Sequence, residues 1–408
     1  VIKKGFFTKR TITLPLEKIQ AVHADQTWLH SLLNVSRLSF DSAGSEKMEV
    51  KIEALDQFRS TALKEFILGH RVGIHSPGEA VQQPPEEILV RLSGRDLFKL
   101  SISANHLKAF ILLLVFISSS LQSVGVSDKE YNGVLQWLGE TFQTDTFKLF
   151  LFLALAALVI GVGISVITVI LTYSDFMISE TSKGFRIKSG LINKKEKFVP
   201  FRKIQFISWK ANWIRNKMGM FLLQLHATGT GHLENKMQVK VPVTRPSFIP
   251  PLLSAYHPLL PVNEILPVRI HKNYVGRRVL LFGILPAVAA AAVLYFYVQE
   301  KAFIALAWIV ITWITCFLFQ QKFRLWAGAE ALQVKKGIFG IHELVLKWDK
   351  IQSAHLAQSL YQKRHNLATV ELHTAGGKVI LPWLALQQAR QIRNYALYKI
   401  ESSAQPWS

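Results

Sequence analysis

Four stretches of the chain carry no charge and are mostly apolar: 109–127, 149–172, 279–299 and 302–321, of 19, 24, 21 and 20 residues. Each approaches the roughly 20 residues of helix that cross a hydrocarbon core about 30 Å thick. The first is diluted in its second half by Ser118, Ser119, Ser120, Gln122 and Ser123. The stretches come in pairs. Between the first two lies a short segment with Tyr131 and Trp137, residue types suited to a membrane interface, and between the last two only Glu300 and Lys301 intervene. The pattern predicts two transmembrane hairpins, 109–173 and 279–321, each returning the chain to the side it left.

In the hydrophilic segments the period shortens to that of a strand, and the pattern occurs three times. Gly5, Gly190 and Gly337 each end a Lys-containing tripeptide; Gln20, Gln205 and Gln352 follow them by 15 residues, and Gly44, Gly229 and Gly376 by 39. Two gapless spacings kept through three copies define a repeat. Phe185-Arg186-Ile187-Lys188 alternates apolar and polar before its Gly, as a strand entering a turn does. A short helix, 26–33 in copy one, is expected to stop at Asn34, Gly219 or Asn366, residues that tolerate the left-handed conformation closing a helix. Further strands follow, then a C-terminal helix: 55–67 in copy one and 385–400 in copy three. Pro246, Pro250 and Pro251 shorten its counterpart at 244–256. Trp28, Trp213 and Leu360 share one repeat position and are expected in the core.

The predicted fold class is α+β: three small antiparallel β-barrel or sandwich domains, each with a C-terminal helix, alternating with the hairpins. Copy one takes 1–70, a linker and interfacial segment 71–108, copy two 174–260, a second interfacial segment 261–278, and copy three 322–408. Ile88-Leu89-Val90-Arg91-Leu92 and Leu266-Pro267-Val268-Arg269-Ile270 are expected as pre-membrane motifs, followed by basic amphipathic stretches at the membrane surface. Copy one has four residues before its first Gly where the others have about 16 after a span. That spacing predicts an N-terminally truncated chain, lacking the first strand of copy one and a preceding hairpin.

Composition sharpens this picture. Among 408 residues, 48 Lys and Arg oppose 27 Asp and Glu, a net +21, yet only 18% are charged and 50% are hydrophobic. A soluble nucleic-acid binder would be denser in charge and poorer in long apolar runs. One cysteine, Cys316, excludes an intrachain disulfide framework and a Cys-cluster metal site. Lys99, Lys108, Arg277, Arg278, Lys322 and Arg324 flank the outer ends of the hairpins, so the positive-inside bias predicts a plasma-membrane protein with its three hydrophilic segments in the cytoplasm.

The charge is unevenly spread. Residues 174–278 hold 18 Lys and Arg against 5 Asp and Glu, a net +13, whereas 1–108 carries +3 and 322–408 carries +7. Lys188, Lys194, Lys195, Lys197, Arg215, Lys217, Arg277 and Arg278 are therefore the candidate contacts to anionic lipid or a partner. Enzyme motifs fail. Gly377-Lys378 lacks the rest of a phosphate loop, and His342-Glu343 has no second His four residues after the first. His355, His365 and His373 keep no regular ligand spacing. No catalytic residue, cofactor or metal is predicted, and nucleic acid is not expected as a partner. The uncharged spans offer no intramembrane ionisable residue of the kind that marks a pathway, which leaves a transporter or export-related component as the alternative.

Gly190-Leu191-Ile192, the run Phe198-Val199-Pro200-Phe201-Arg202-Lys203-Ile204-Gln205, and Thr11-Ile12-Thr13-Leu14-Pro15-Leu16-Glu17-Lys18-Ile19-Gln20 carry a resemblance over nearly the whole chain. The arrangement resembles the bacterial pleckstrin-homology-like membrane proteins of the YdbT type. Copy three departs from it by placing Lys347 and Trp348 at the Pro of the strand. The resemblance implies a bent antiparallel barrel capped by a helix and no reaction. The expected role is a non-enzymatic scaffold or binding module for another membrane protein, a second copy of itself or anionic lipid at the inner leaflet, in envelope stress or toxin resistance.

Overall fold

The computed structural model describes residues 2–4, 10–13, 19–42, 50–70, 87–104, 106–124, 133, 136, 137, 140, 146–228, 236–243, 245–256 and 265–402. Gly5, Gly44 and Gly229 lie outside the described residues. Copy one supplies β1 (Ile2–Lys4), β2 (Arg10–Ile12), β3 (Ile19–Gln26), β4 (Val35–Ser42) and β5 (Val50–Asp56), closed by the helix Gln57–His70. Copy two supplies β6 (Glu87–Arg91), β7 (Met177–Thr181), β8 (Gly184–Ser189), β9 (Lys194–Pro200), β10 (Ile204–Ala211), β11 (Phe221–Thr228) and β12 (Lys236–Val243). Copy three supplies β13 (Arg324–Ala327), β14 (Ala331–Lys336), β15 (Ile341–Lys347), β16 (Ser353–Ala357), β17 (Leu367–Thr374) and β18 (Gly377–Ala385), closed by the helix Leu386–Ser402.

Copies two and three are each a sandwich of two half-sheets. In copy two, Phe176, Ile178, Phe185 and Val199 from the first half pack on Ile204, Leu223, Leu225 and Val241 from the second. Phe323, Leu332 and Leu346 meet Leu367, Leu372 and Leu381 in the same way in copy three, where Ala389, Ile392 and Ala396 of the C-terminal helix seal the core. Burying such side chains stabilises each sandwich by about 1.5–3 kcal/mol apiece.

The half-sheets do not close on themselves. They run on into the next copy. The seven-stranded sheet has the order β5-β4-β3-β9-β8-β7-β6 and the six-stranded sheet β12-β11-β10-β15-β14-β13, so the second half of one copy is continuous with the first half of its successor. The copies, expected as three small β-barrel or sandwich domains, thus share their sheets with one another. A short 3₁₀ corner, Phe201–Lys203 in copy two and Trp348–Lys350 in copy three, turns the chain from one sheet into the other, which frees the edges of β9 and β10 to pair outward. Lys347, where the strand lacks its Pro, keeps nearly the backbone of Pro200 (φ −74°, ψ 142° against −61°, 139°).

The repeat-defining residues have physical tasks. Gly190 and Gly337 have φ of 103° and 152°, and a Cβ there would fall 2.1 and 2.2 Å from the carbonyl oxygens of Asn193 and Gly340. Gln20 and Gln205 sit at register shifts in β3 and β10, one extra residue in each strand. Gln352 lies just before β16 and donates its backbone N–H to the His373 carbonyl at 2.8 Å. Gly376 lets the β17–β18 turn approach copy two, since a Cβ there would be 2.8 Å from that of Gln205. Asn34, Gly219 and Asn366 end their helices with φ of 53°, 66° and 51°.

The expected pre-membrane motifs are structural. Residues 87–91 form β6, which pairs antiparallel with β7 across the whole first membrane segment, and Val268 bridges Leu325 across the second. Membrane helices are therefore inserted between the first two strands of a sandwich. Leu151–Tyr173, Asn273–Tyr297 and Phe303–Lys322 are long and apolar enough to cross a membrane. The 19-residue helix His106–Val124 lies against the first of these, where a Cβ on Gly161 would be 3.0 Å from Phe110 Cα. A π-helical stretch, Val279–Ile284, interrupts the next. Trp308 Nε1 donates to the Phe282 carbonyl within it at 2.8 Å. In a lipid interior such a bond satisfies a backbone group that water cannot reach.

A basic cleft at the membrane end of the first junction

Where β3 of copy one pairs with β9 of copy two, Asp25 faces Lys195 and Gln26 faces Lys194. Lys188 and Arg186 rise from the adjacent β8, and Lys64 arrives from the C-terminal helix of copy one. Together they line a cleft of about 520 Å³. Three carboxylates, Asp25, Asp175 and Glu196, share the lining; Lys64 Nζ pairs with Glu196 and Arg186 Nε lies 3.5 Å from it.

The titration of this pair is shaped first by burial and then by its charged neighbours. Burial works against the Glu196 charge, yet Lys64, Lys188 and Arg186 outweigh it and hold the carboxyl below its ordinary range. Burial also pushes the Lys64 ammonium down, and Arg186 and Lys188 add to this against the pull of Glu196. Burial is the main cause of the Lys64 shift, and the surplus of positive charge is read from the lining itself, where Lys64, Arg186, Lys188, Lys194 and Lys195 face Asp25, Asp175 and Glu196. That surplus is what an incoming anion would neutralise.

The cleft begins at the end of a membrane helix. Gly190 N–H donates to the Ser174 carbonyl at 2.8 Å and Leu191 N–H to that of Leu171 at 3.1 Å, which fastens the β8–β9 turn to the last turns of Leu151–Tyr173. Trp28 N–H donates to Asn193 Oδ1 of the same turn at 3.0 Å. Leu191 and Ile192 are exposed there. The second junction repeats the plan: Lys322 Nζ, at the end of Phe303–Lys322, donates to the Ile338 carbonyl at 2.5 Å, and a cleft of about 410 Å³ opens between Trp213, Arg215, Phe339 and His342.

Of the residues expected from charge, Lys188, Lys194 and Lys195 share the first cleft. Lys197 lies further along β9 opposite Ile187, outside its lining. Arg215 Nε donates to Ser103 Oγ at 3.1 Å, at the end of the helix Gly94–Ile102, and Lys217 Nζ stands 5.3 Å over the Trp213 ring. The Arg277 and Arg278 guanidinium groups lie over Tyr361 at 5.3 Å and Phe282 at 5.0 Å, near the start of the apolar helix Asn273–Tyr297. Lys64 and Glu196 escaped the sequence, because only the pairing of two copies brings them together.

The shared position of Trp28, Trp213 and Leu360 is not core. These side chains are 62%, 55% and 85% exposed, which corrects the expectation of burial. The first two stand beside turns tied to membrane helices, where an amphipathic ring suits the head-group level. The burial argument against nucleic acid falls with them. Among the described residues no group of three His, Cys, Asp or Glu side chains could hold a metal ion.

Replacing Gly190 with Ala is expected to cost about 1–3 kcal/mol, since it forces a side chain into a positive φ. Faster amide exchange at 190–193 in the purified chain would report the loosened turn.

A composite sandwich built in strips, rooted in apolar helices and repeated along the chain, defines a membrane-embedded array of PH-like domains. The sequence profile described as Bacterial PH domain matches residues 1–71, 134–248 and 279–400, and the chain belongs to that family. It is also similar to the UPF0699 transmembrane protein YdbT of Bacillus subtilis (strain 168), with 22% identity over 391 residues, covering 90% of this chain and 76% of that relative.

Proposed function

We propose that the chain is a non-enzymatic membrane scaffold, that four spans in two hairpins hold its PH-like sandwiches on the cytoplasmic face of the plasma membrane, and that the first-junction cleft takes the anionic head group of an inner-leaflet lipid. Strand pairing supports this topology. Because β6 and β7 lie side by side, an even number of crossings between them fits best, which favours His106–Val124 as the partner of Thr146–Tyr173. The Val268–Leu325 bridge makes the same demand of the second pair. Basic flanks at the sandwich ends of the hairpins favour the cytoplasmic side.

The observation that carries the lipid reading is the surplus of positive charge in a cleft hydrogen-bonded to the end of a membrane helix. Each basic residue near a head group contributes about 1 kcal/mol. Replacing Lys188, Lys194 and Lys195 with Gln is therefore expected to weaken retention of phosphatidylglycerol by roughly 100-fold, leaving phosphatidylcholine unchanged. Native mass spectrometry of the purified full chain with each lipid reads this directly. Equal phosphatidylglycerol retention by the variant and the parent chain would refute it. The full chain is required, because the sheets of the central copy are completed by both neighbours.

A further inference from the structure

The two junctions between copies are the same junction. Gly5 to Gly190 spans 185 residues and Gly190 to Gly337 spans 147, and these offsets carry one pairing onto the other. Ala24 faces Glu196 at the first junction. Their equivalents, Trp209 and Glu343, face each other at the second. Strand edge, partner strand and register all recur.

Among the described residues two edges of this kind remain. At one end, β16 is the equivalent of β3 and β10, and it pairs with β17 alone in the three-stranded sheet. At the other, β2 is the equivalent of β9 and β15, and it pairs with β1 alone. Among the described residues no strand covers the outer side of either. Edge strands left to solvent are usually blunted by charge, Pro or a bulge. The β16 sequence Ser353-Ala354-His355-Leu356-Ala357 has no Lys, Arg, Asp, Glu or Pro. Leu360, just beyond, is 85% exposed at the position where Trp28 meets the following copy's turn at the first junction.

We infer that β16 of one chain pairs antiparallel with β2 of a second copy, forming a third junction of the same build between molecules. The repeat offsets set its register, with Leu356 opposite Thr11 and Ala357 opposite Arg10. The contact is heterologous, head to tail, so it generates either a closed ring or an open row. Sandwiches rooted in one bilayer extend side by side, and the association lies in the membrane plane. Main-chain hydrogen bonds supply the affinity, as in other cases of strand addition.

Disulfide trapping in native membranes tests this on full-length chains carrying Cys316→Ser. Two differently tagged chains are co-expressed, one with Leu356→Cys and the other with Thr11→Cys, and oxidised. Expected is a dimer bearing both tags, with at least a severalfold lower yield when Thr13→Cys replaces Thr11→Cys. As a folding control, Trp209→Cys with Glu343→Cys must crosslink within one chain. If that control forms while the tagged chains stay monomeric, the inference fails. It fails equally if Leu356→Cys and Thr11→Cys placed in one chain join only within that chain, since the ends then close on each other. Capture of Leu356→Cys by a protein of different mass overturns the second copy as occupant.

Discussion

Acidification from pH 7 to pH 4.5 is expected to loosen the junction between copies two and three while the junction between copies one and two holds. His226 lies on β11, its ring stacked at 4.0 Å on Phe206 and its Nε2 2.9 Å from Ser208 Oγ. His342 lies on β15, facing Lys210 across the junction. Burial pushes the His226 imidazole down to about 4, with His342 and Lys210 adding to it. His342 is likewise lowered to about 4 by burial, then by Lys336 and Lys210.

Both rings favour the neutral form when folded and take up protons near 6.5 when unfolded. Their contribution is therefore complete above pH 6.5 and is lost as the pH falls towards 4. Both retain some exposure, so the pair is assigned roughly 3 kcal/mol, about half the full conversion of the two shifts. Glu196, whose carboxyl is lowered, behaves differently: its contribution is complete above the ordinary carboxylate range and is lost as the pH falls through that range and below it. Amide exchange of β10 and β15 should accelerate between pH 6.5 and 4.5 while that of β3 and β9 does not. In a chain with His226→Gln and His342→Gln the acceleration should vanish; persistence there would assign the acid response to other groups.

Much of this architecture was legible because periodicity and spacing are local. Gly190 and Gly337 announce turns that only glycine fits, and Asn34, Gly219 and Asn366 announce helix ends. The apolar runs are similarly explicit. What the sequence hid was the identity of each strand's neighbour. Alternation in Phe185-Arg186-Ile187-Lys188 predicts a strand and says nothing of whether its sheet ends within the copy or continues into another. The motif at 88–92 was misplaced for this reason: its partner β7 lies beyond the first membrane segment.

The candidate site was legible to the same degree. Charge counting singled out Lys188, Lys194 and Lys195, which do converge. It also selected Arg277 and Arg278, which lie instead over aromatic rings at a helix root. Counting cannot see Lys64 or Glu196 as partners, because their meeting depends on the inter-copy register. Trp213 was misassigned to the core because a hydrophobic residue recurring in every copy has two explanations, common burial and a common exposed contact. Its place beside a turn fastened to a membrane helix supplies the second.

Trp348→Ala is expected to cost about 3–5 kcal/mol, the usual range for removing a large buried aromatic. The side chain is 1% exposed, meets Tyr395 of the C-terminal helix edge-on at 5.2 Å, and donates its Nε1 hydrogen to the Gly328 carbonyl at 2.9 Å. It stands on the 3₁₀ corner between the two half-sheets, so its loss weakens both at once. Because β15 continues the sheet of copy two through β10, the damage should spread there and leave copy one intact. Trp348→Phe should cost clearly less, since Phe201 fills the same corner in copy two, packed edge-on against Phe185 at 5.0 Å. Thermal unfolding of the solubilised chain gives the size of the loss, and hydrogen exchange gives its reach. A loss confined to copy three, with β10 and β11 as protected as in the parent chain, would mean that the shared sheet does not couple the two copies.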